Sequence, residues 1–162
     1  MRISEALGTA MRARMPLAPG RTEQLSAQAD GVQLECVVEA AERLGCALGS
    51  LTVRRQTPAR LSPPALREFA EALCQRATYL LEPLKLLEHD AAAGVALARS
   101  SPPAADERGV EYYELLANAD GSAALTRWRW DAGVPGRASA PMLLTPPQFA
   151  RLADDFAAEA TR

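Results

Sequence analysis

Apolar and polar residues alternate along several stretches of the chain, which is the pattern of half-buried β-strands. The first such stretch covers residues 32–38, and residues 43–55 follow it as a second strand. A turn centred on Ala41 places Cys36 opposite Cys46 and puts both thiols on one face. The pattern therefore predicts a first hairpin with two neighbouring, buried cysteines.

A second hairpin is predicted from residues 84–90 and 95–101, which flank a turn that ends at Gly94. After it, residues 101–109 form a polar, proline-bearing connection. Residues 142–144 are expected to be one more short strand.

The third hairpin carries the clearest turn signal. Residues 110–117 and 122–131 flank Asp120-Gly121, a dipeptide that favours two-residue type I′ turns. Such a turn pairs Tyr113 with Trp128. The resulting register predicts two faces, with Tyr113, Trp128 and Trp130 on one and Tyr112, Arg127 and Arg129 on the other.

Two amphipathic helices are predicted, each opened by a capping residue and prolines. Ser62 is the expected N-cap of the first, and an apolar stripe begins at Leu66. Thr145 and Gln148 form the capping box of the second, whose stripe begins at Phe149. Because strands precede both helices, the chain also suggests a ββα duplication, although the two units are offset differently along the sequence.

These elements predict an α+β fold with an antiparallel sheet of about six or seven strands built from hairpins. The two main helices are expected to pack on one face of that sheet. Residues 1–30 are interpreted as an N-terminal extension that is weakly helical or flexible, and residues 31–162 as a single domain.

Charge and composition limit the classes of function. The chain has 162 residues and a net charge of −2, which excludes a broadly basic surface for nucleic acid. Seventeen arginines accompany a single lysine, Lys85, as expected for a GC-rich bacterial genome. The three cysteines form no CxxC pair, and no apolar run is long enough to cross a membrane. We therefore expect a cytoplasmic protein without a membrane segment.

Residues that carry chemistry are sparse. His89 is the only histidine, so a Cys–His dyad is the one nucleophilic arrangement that the spacing leaves open. Neither a phosphate-binding glycine loop nor a metal-ligand spacing occurs. The sequence accordingly predicts no catalytic residue, no metal and no cofactor.

The aromatic hairpin is the place where a binding function is expected. Its candidate binding residues are Tyr112, Tyr113, Arg127, Trp128, Arg129 and Trp130. A purely structural interpretation packs the tryptophan face beneath a helix and leaves Arg127 paired with Glu114 in solvent. In size, acidity and mix of elements the chain resembles small, Leu-rich bacterial secretion chaperones, which implies a homodimer that binds another protein.

Three hypotheses follow from these residues. The first is a non-enzymatic protein-binding or assembly protein, chaperone-like or adaptor-like, with a protein partner or self-association. The second is a small-molecule-binding domain or enzyme whose pocket, between sheet and helices, is lined by Tyr113, Trp128 and Trp130. The third is single-stranded nucleic-acid binding through Arg127 and Arg129.

Overall fold

A computed structural model describes all of residues 1–162 and shows an α+β fold with three helices and ten strands. The helices are α1 (Ile3–Arg12), α2 (Pro63–Arg76) and α3 (Pro146–Ala160). The strands are β1 (Glu23–Ala29), β2 (Val32–Glu42), β3 (Gly45–Arg55), β4 (Leu84–Asp90), β5 (Val95–Ser100), β6 (Ala104–Ala105), β7 (Gly109–Asn118), β8 (Ala123–Asp131), β9 (Ala138–Ser139) and β10 (Met142–Leu144). The sequence predicted two main helices and about six or seven strands.

All pairings in the sheet are antiparallel, and its main order is β1-β2-β3-β8-β7-β5-β4. The short strands β6, β9 and β10 pair with β7, β8 and β3. Strands β3 and β8 therefore lie at the centre of the sheet. Along the chain, α2 follows β3, and α3 is the next helix after β8. The ββα duplication stays a prediction.

One face of the sheet carries the hydrophobic core. In register across the middle strands lie Cys36, Leu51, Leu125, Leu115 and Ala98, each no more than 1% exposed. They belong to one cluster with the buried side chains of all three helices. We call this the inner face and its opposite the outer face. Helix α2 contacts β4, β5 and β7, while α3 contacts β2, β3 and β10.

The predicted helix starts are confirmed. Ser62 accepts a hydrogen bond from the backbone N–H of Ala65, and Thr145 and Gln148 form a reciprocal capping box. Because capping depends on residues within one turn, both starts can be read from the sequence alone.

The N-terminal segment begins with a packed helix. Helix α1 buries Ile3, Leu7 and Met11, which share the main core cluster. The hydroxyl of Ser4 donates to Asp154 of α3 at 2.8 Å, and its backbone N–H donates to the same carboxylate at 3.2 Å. Contacts with β1 and α3 therefore fix α1 against the rest of the domain.

The predicted register of the first hairpin is wrong. Cys36 lies opposite Leu51, and Cys46 lies opposite Ala41, because the turn falls after Glu42 rather than at Ala41. The preceding strand β1 was also missed. It pairs with β2 through a two-residue turn at Asp30-Gly31, where both residues have positive φ, at 52° and 79°. That dipeptide favours a type I′ turn, a signal that the interpretation of residues 1–30 as an extension overlooks.

The second hairpin is confirmed, with Asp90 opposite Val95 and Gly94 at a φ of 68°. Strand β10 also lies where a short strand was predicted. No helix has both the length and the apolar character needed to span a membrane.

The third hairpin is displaced by one residue from its predicted register. The backbone N–H of Asn118 donates to the carbonyl of Ser122, so the loop has three residues rather than two. Gly121, the last of the three, has a φ of 84°. The Asp120 carboxylate accepts from the N–H of Ser122 at 2.9 Å and from its hydroxyl at 2.6 Å. Backbone N–H groups of residues 59 and 61 bind the carbonyls of residues 120 and 119. These contacts hold a loop that the dipeptide alone does not specify.

Candidate functional site

The observed register changes which of the predicted binding residues share a face of the sheet. Tyr113 lies opposite Arg127 on the inner face, and Tyr112 lies opposite Trp128 on the outer face. Trp130 shares the outer face and is 46% exposed. The tryptophans therefore lie on the face opposite the helices, where Trp130 is exposed and Trp128 is half-buried, and the interpretation that packs both beneath a helix is wrong.

Two arginines from other segments reach the outer face. The Arg137 guanidinium, from the loop after β8, lies 3.9 Å from the centre of the Trp128 ring. That of Arg99, in β5, lies 5.3 Å from the centre of the Tyr112 ring. Alternation within β8 separates its own arginines from its tryptophans, but neighbouring segments supply the cations instead.

Both arginines share one carboxylate, that of Glu114. Arg137 donates to it through Nη1 at 2.7 Å and Nη2 at 3.1 Å, and Arg99 donates through Nε at 3.0 Å. Burial acts to raise the pKa of Glu114, but the hydrogen bonds and charges of the two arginines outweigh it and hold that pKa below its ordinary value. Glu114 is therefore ionised at neutral pH.

A cleft opens beside this cluster. Its volume is about 510 Å³, and its lining includes Arg99, Pro103, Val110, Tyr112, Trp130 and Arg137. Aromatic rings, aliphatic surface and guanidinium groups thus face a common space that is open to solvent.

The outer face is ordered in rows because the strand register aligns alternate residues. Lys85, Arg99 and Glu114 form one row across β4, β5 and β7. Leu97 and Leu116 form the next row on one side, which ends on β4 at the exposed Glu88. Tyr112 and Trp128 form the next row on the other. We call the following set the outer patch: Lys85, Leu97, Arg99, Tyr112, Glu114, Leu116, Trp128, Trp130 and Arg137.

The row that continues the outer face across β1, β2 and β3 is polar. Across β1, β2 and β3 the row next to Ala124 consists of Thr52, Glu35 and Ser26. Polar side chains of this kind are usual on a solvated sheet face. The aromatic and aliphatic surface of the outer patch is therefore confined to one half of the sheet.

Arg127 and Tyr113 form a buried cluster on the inner face. Arg127 is 4% exposed and binds both carboxylate oxygens of Glu82, at 2.8 and 3.3 Å, and one of Glu111 at 2.8 Å. Its guanidinium also lies 4.3 Å from the centre of the Tyr113 ring. Because its ion pairs are satisfied within the fold, Arg127 joins residues 77–83 to β8 rather than facing a ligand.

This placement changes both alternative hypotheses. Tyr113 lies on the opposite face from Trp128 and Trp130, so the three do not line a common pocket. Arg129 forms ion pairs with Asp106, Asp131 and Glu111. The hydrogen bonds to Asp131 and Asp106 raise the pKa of Arg129. Neither Arg127 nor Arg129 therefore presents an unpaired guanidinium to a nucleic acid.

The thiols and the histidine are separate from this patch. Burial raises the pKa of Cys36 to about 12 and those of Cys46 and Cys74 to about 11. These thiols are therefore protonated at neutral pH. The Nε2 atom of His89 is buried without a hydrogen-bond partner. No group of three His, Cys, Asp or Glu side chains is placed to hold a metal ion.

Sequence reasoning missed Lys85, Leu97, Arg99, Leu116 and Arg137 as site residues. Alternation within residues 95–100 separates Leu97 and Arg99 from the buried alanines, and this signal could have placed both on an exposed face. No comparable signal exists for Arg137, because it lies in an irregular loop.

Comparisons of this chain with protein-family models, with curated proteins and with solved structures found no match.

Proposed function

We propose that this protein is a non-enzymatic protein-binding or assembly domain that holds a segment of a partner protein on the outer patch. The observation that carries the proposal is the exposed Trp130 at the edge of a cleft that Tyr112 and Arg137 also line. Large exposed aromatic side chains that adjoin further apolar surface are typical of interaction sites.

The composition of the outer patch supports a protein partner. Tryptophan, tyrosine and arginine are enriched at the hot spots of protein–protein interfaces, where a few side chains contribute most of the binding energy. Here they lie beside two leucines, of which Leu116 is 38% exposed. The cleft accepts a side chain, and the flat rows around it accept the neighbouring residues of the same segment.

A small molecule fits this surface less well. Pockets for small ligands enclose most of the ligand surface, whereas the outer patch spreads over β4, β5, β7 and β8 and is open to solvent. An extended protein segment, by contrast, can cover several rows of a sheet.

The test is a selection of displayed random 12-residue peptides on the full-length protein. We expect enriched peptides that bind the wild-type chain and lose about tenfold or more in affinity with Trp130→Ala, as for a central aromatic contact. Leu143→Ala is the matched control, since Leu143 is 65% exposed but lies on β10, outside the outer patch.

Three outcomes contradict the proposal: no enrichment, equal binding by Trp130→Ala, or a loss limited to Leu143→Ala. Sedimentation velocity of the wild type provides a separate readout. A dimer that Trp130→Ala converts to monomer assigns the outer patch to a second copy of this chain instead of a different partner.

A further inference from the structure

We infer that the partner segment carries an acidic residue between two apolar residues, at alternate positions of an extended chain. This inference rests on the proposed function and names the chemistry of its partner. The cationic row of the outer patch and the apolar rows on both sides of it specify that pattern.

The cationic row has more positive than negative charge. Lys85 and Arg99 lie directly opposite each other on β4 and β5, and Arg137 reaches the same row from its loop. Glu114 is the carboxylate with which Arg99 and Arg137 form ion pairs, and Lys85 forms none. Like charges on directly opposed residues destabilise a sheet, so a second carboxylate at this row would relieve the repulsion.

Several hydrogen-bond donors of the cationic row have no acceptor within the protein. Arg99 uses only Nε in binding Glu114, so both of its Nη groups are without a protein partner. Lys85 makes no ion pair, and its side chain is exposed. The Glu114 side chain, in contrast, is only 13% exposed beneath the two guanidinium groups. An approaching segment therefore meets cations first.

Along β7, apolar side chains border the cationic row on both sides. Tyr112 and Trp128 lie two residues along β7 and β8 in one direction, and Leu116 lies two residues along β7 in the other. Alternate side chains of an extended chain are about 6.6–6.8 Å apart, whether in the sheet or in a bound segment. A segment that runs along β7 thus brings an apolar, an acidic and an apolar side chain to the three rows in turn.

A nucleic acid is the less suitable anion. Binding a phosphate backbone requires cations repeated along its length, whereas the outer patch has one cationic row, flanked along β7 by Tyr112 and Leu116. The net charge of −2 also works against it. A carboxylate in a protein segment requires only the one row.

The test compares two fluorescein-labelled nine-residue peptides that carry Phe, Asp and Leu, or Phe, Asn and Leu, at alternate positions with serine between. At low ionic strength we expect the Asp peptide to bind about tenfold more tightly, because charge-assisted hydrogen bonds exceed neutral ones. The preference should fall to about twofold or less in the Lys85→Gln/Arg99→Gln variant. Arg151→Gln, at an arginine that is 59% exposed on α3, should keep it.

A carbodiimide cross-link gives an independent readout. Lys85 is the only lysine, so an amide bond between its Nζ and the peptide carboxylate can be assigned by mass spectrometry. If the double variant fails to fold, Lys85→Glu replaces it, because Lys85 makes no ion pair in the fold. Lys85→Glu should also abolish the preference for the Asp peptide. Equal binding of the two peptides, no binding of the Asp peptide, or tighter binding of a twelve-nucleotide oligothymidylate overturns this inference. If displayed peptides still depend on Trp130 after such a result, the proposed function stands and only the acidic pattern fails.

Discussion

Arg137 stacks on Trp128 and binds Glu114 with the same guanidinium group, 3.9 Å from the ring centre and 2.7 Å from a carboxylate oxygen. The segment that carries Arg137 also pairs with β8 through Ser139, which lies opposite Trp128. One arginine thus fastens the loop after β8 to the outer face and forms one wall of the cleft.

Replacing Arg137 by Ala should expose the Trp128 ring. We expect a red shift of tryptophan emission, stronger quenching by acrylamide and a loss of about 1 kcal/mol in the free energy of unfolding. Arg151→Ala is the control, since Arg151 stacks on Tyr79 and not on a tryptophan. An unchanged spectrum in Arg137→Ala would contradict the stacking described here.

Replacing Glu114 by Gln should make stability less dependent on acid. Because the folded-state pKa of Glu114 lies below its ordinary value of 4.5, its ionisation stabilises the fold above that pH, and this contribution is lost as pH falls through the folded-state pKa. We expect wild type to exceed Glu114→Gln by about 1 kcal/mol at pH 7 and by progressively less below pH 4.5.

Urea unfolding at several pH values checks this prediction. Glu71→Gln is the matched control, because Glu71 pairs with Arg67 on the exposed surface of α2. A constant difference between wild type and Glu114→Gln from pH 7 to pH 3 would show that Glu114 does not titrate as described.

Replacing Arg127 by Leu should be far more damaging than replacing Arg129 by Gln. The first change leaves the Glu82 carboxylate buried without its partner, at a cost of about 3–5 kcal/mol. The second removes partly exposed ion pairs and should cost about 1 kcal/mol or less. Adding Glu82→Leu to Arg127→Leu should restore part of the loss. Similar unfolding free energies for the two single variants would place Arg127 in solvent, as the register predicted from the sequence does.

Replacing the glycines of the two Asp-Gly turns compares an open turn with one that Arg55 packs against. Gly31→Ala should cost about 1 kcal/mol, because its φ is 79° and a Cβ would meet nothing within 4 Å. Gly121→Ala should cost more, since its Cβ would lie 2.6 Å from Nε of Arg55 in addition to the positive φ. Thermal unfolding measures both, and an equal or smaller loss for Gly121→Ala would contradict the close packing of the Arg55 side chain on this turn.

Local signals explain why the helices and most strands could be predicted. The caps at Ser62 and Thr145 and the alternation in residues 32–38 act within a few residues, and the structure retains them. Register was less predictable. Asp30-Gly31 forms a two-residue turn and Asp120-Gly121 belongs to a three-residue loop, and contacts from residues 59 and 61 hold the second. These contacts come from a distant part of the sequence.

The candidate site shows the same division. Clustering of Tyr112, Trp128 and Trp130 is visible in the sequence, so the region was found. A displacement of one residue in register placed Arg127 beside Tyr113 in the core and left the tryptophans on the outer face, because side-chain direction alternates at every position of a strand. The cations beside the tryptophans come from β5 and from a loop, and only the sheet order brings these segments together.

The most direct test uses the fact that both tryptophans of this chain lie on the outer patch. Acrylamide quenching of the full-length protein is measured with and without a saturating peptide from the display selection, with Trp128→Phe used to follow Trp130 alone. Binding on the outer patch predicts that the quenching constant of Trp130 falls by about half or more when the peptide is present. An unchanged quenching constant at saturation would contradict the proposal that this surface is the binding site.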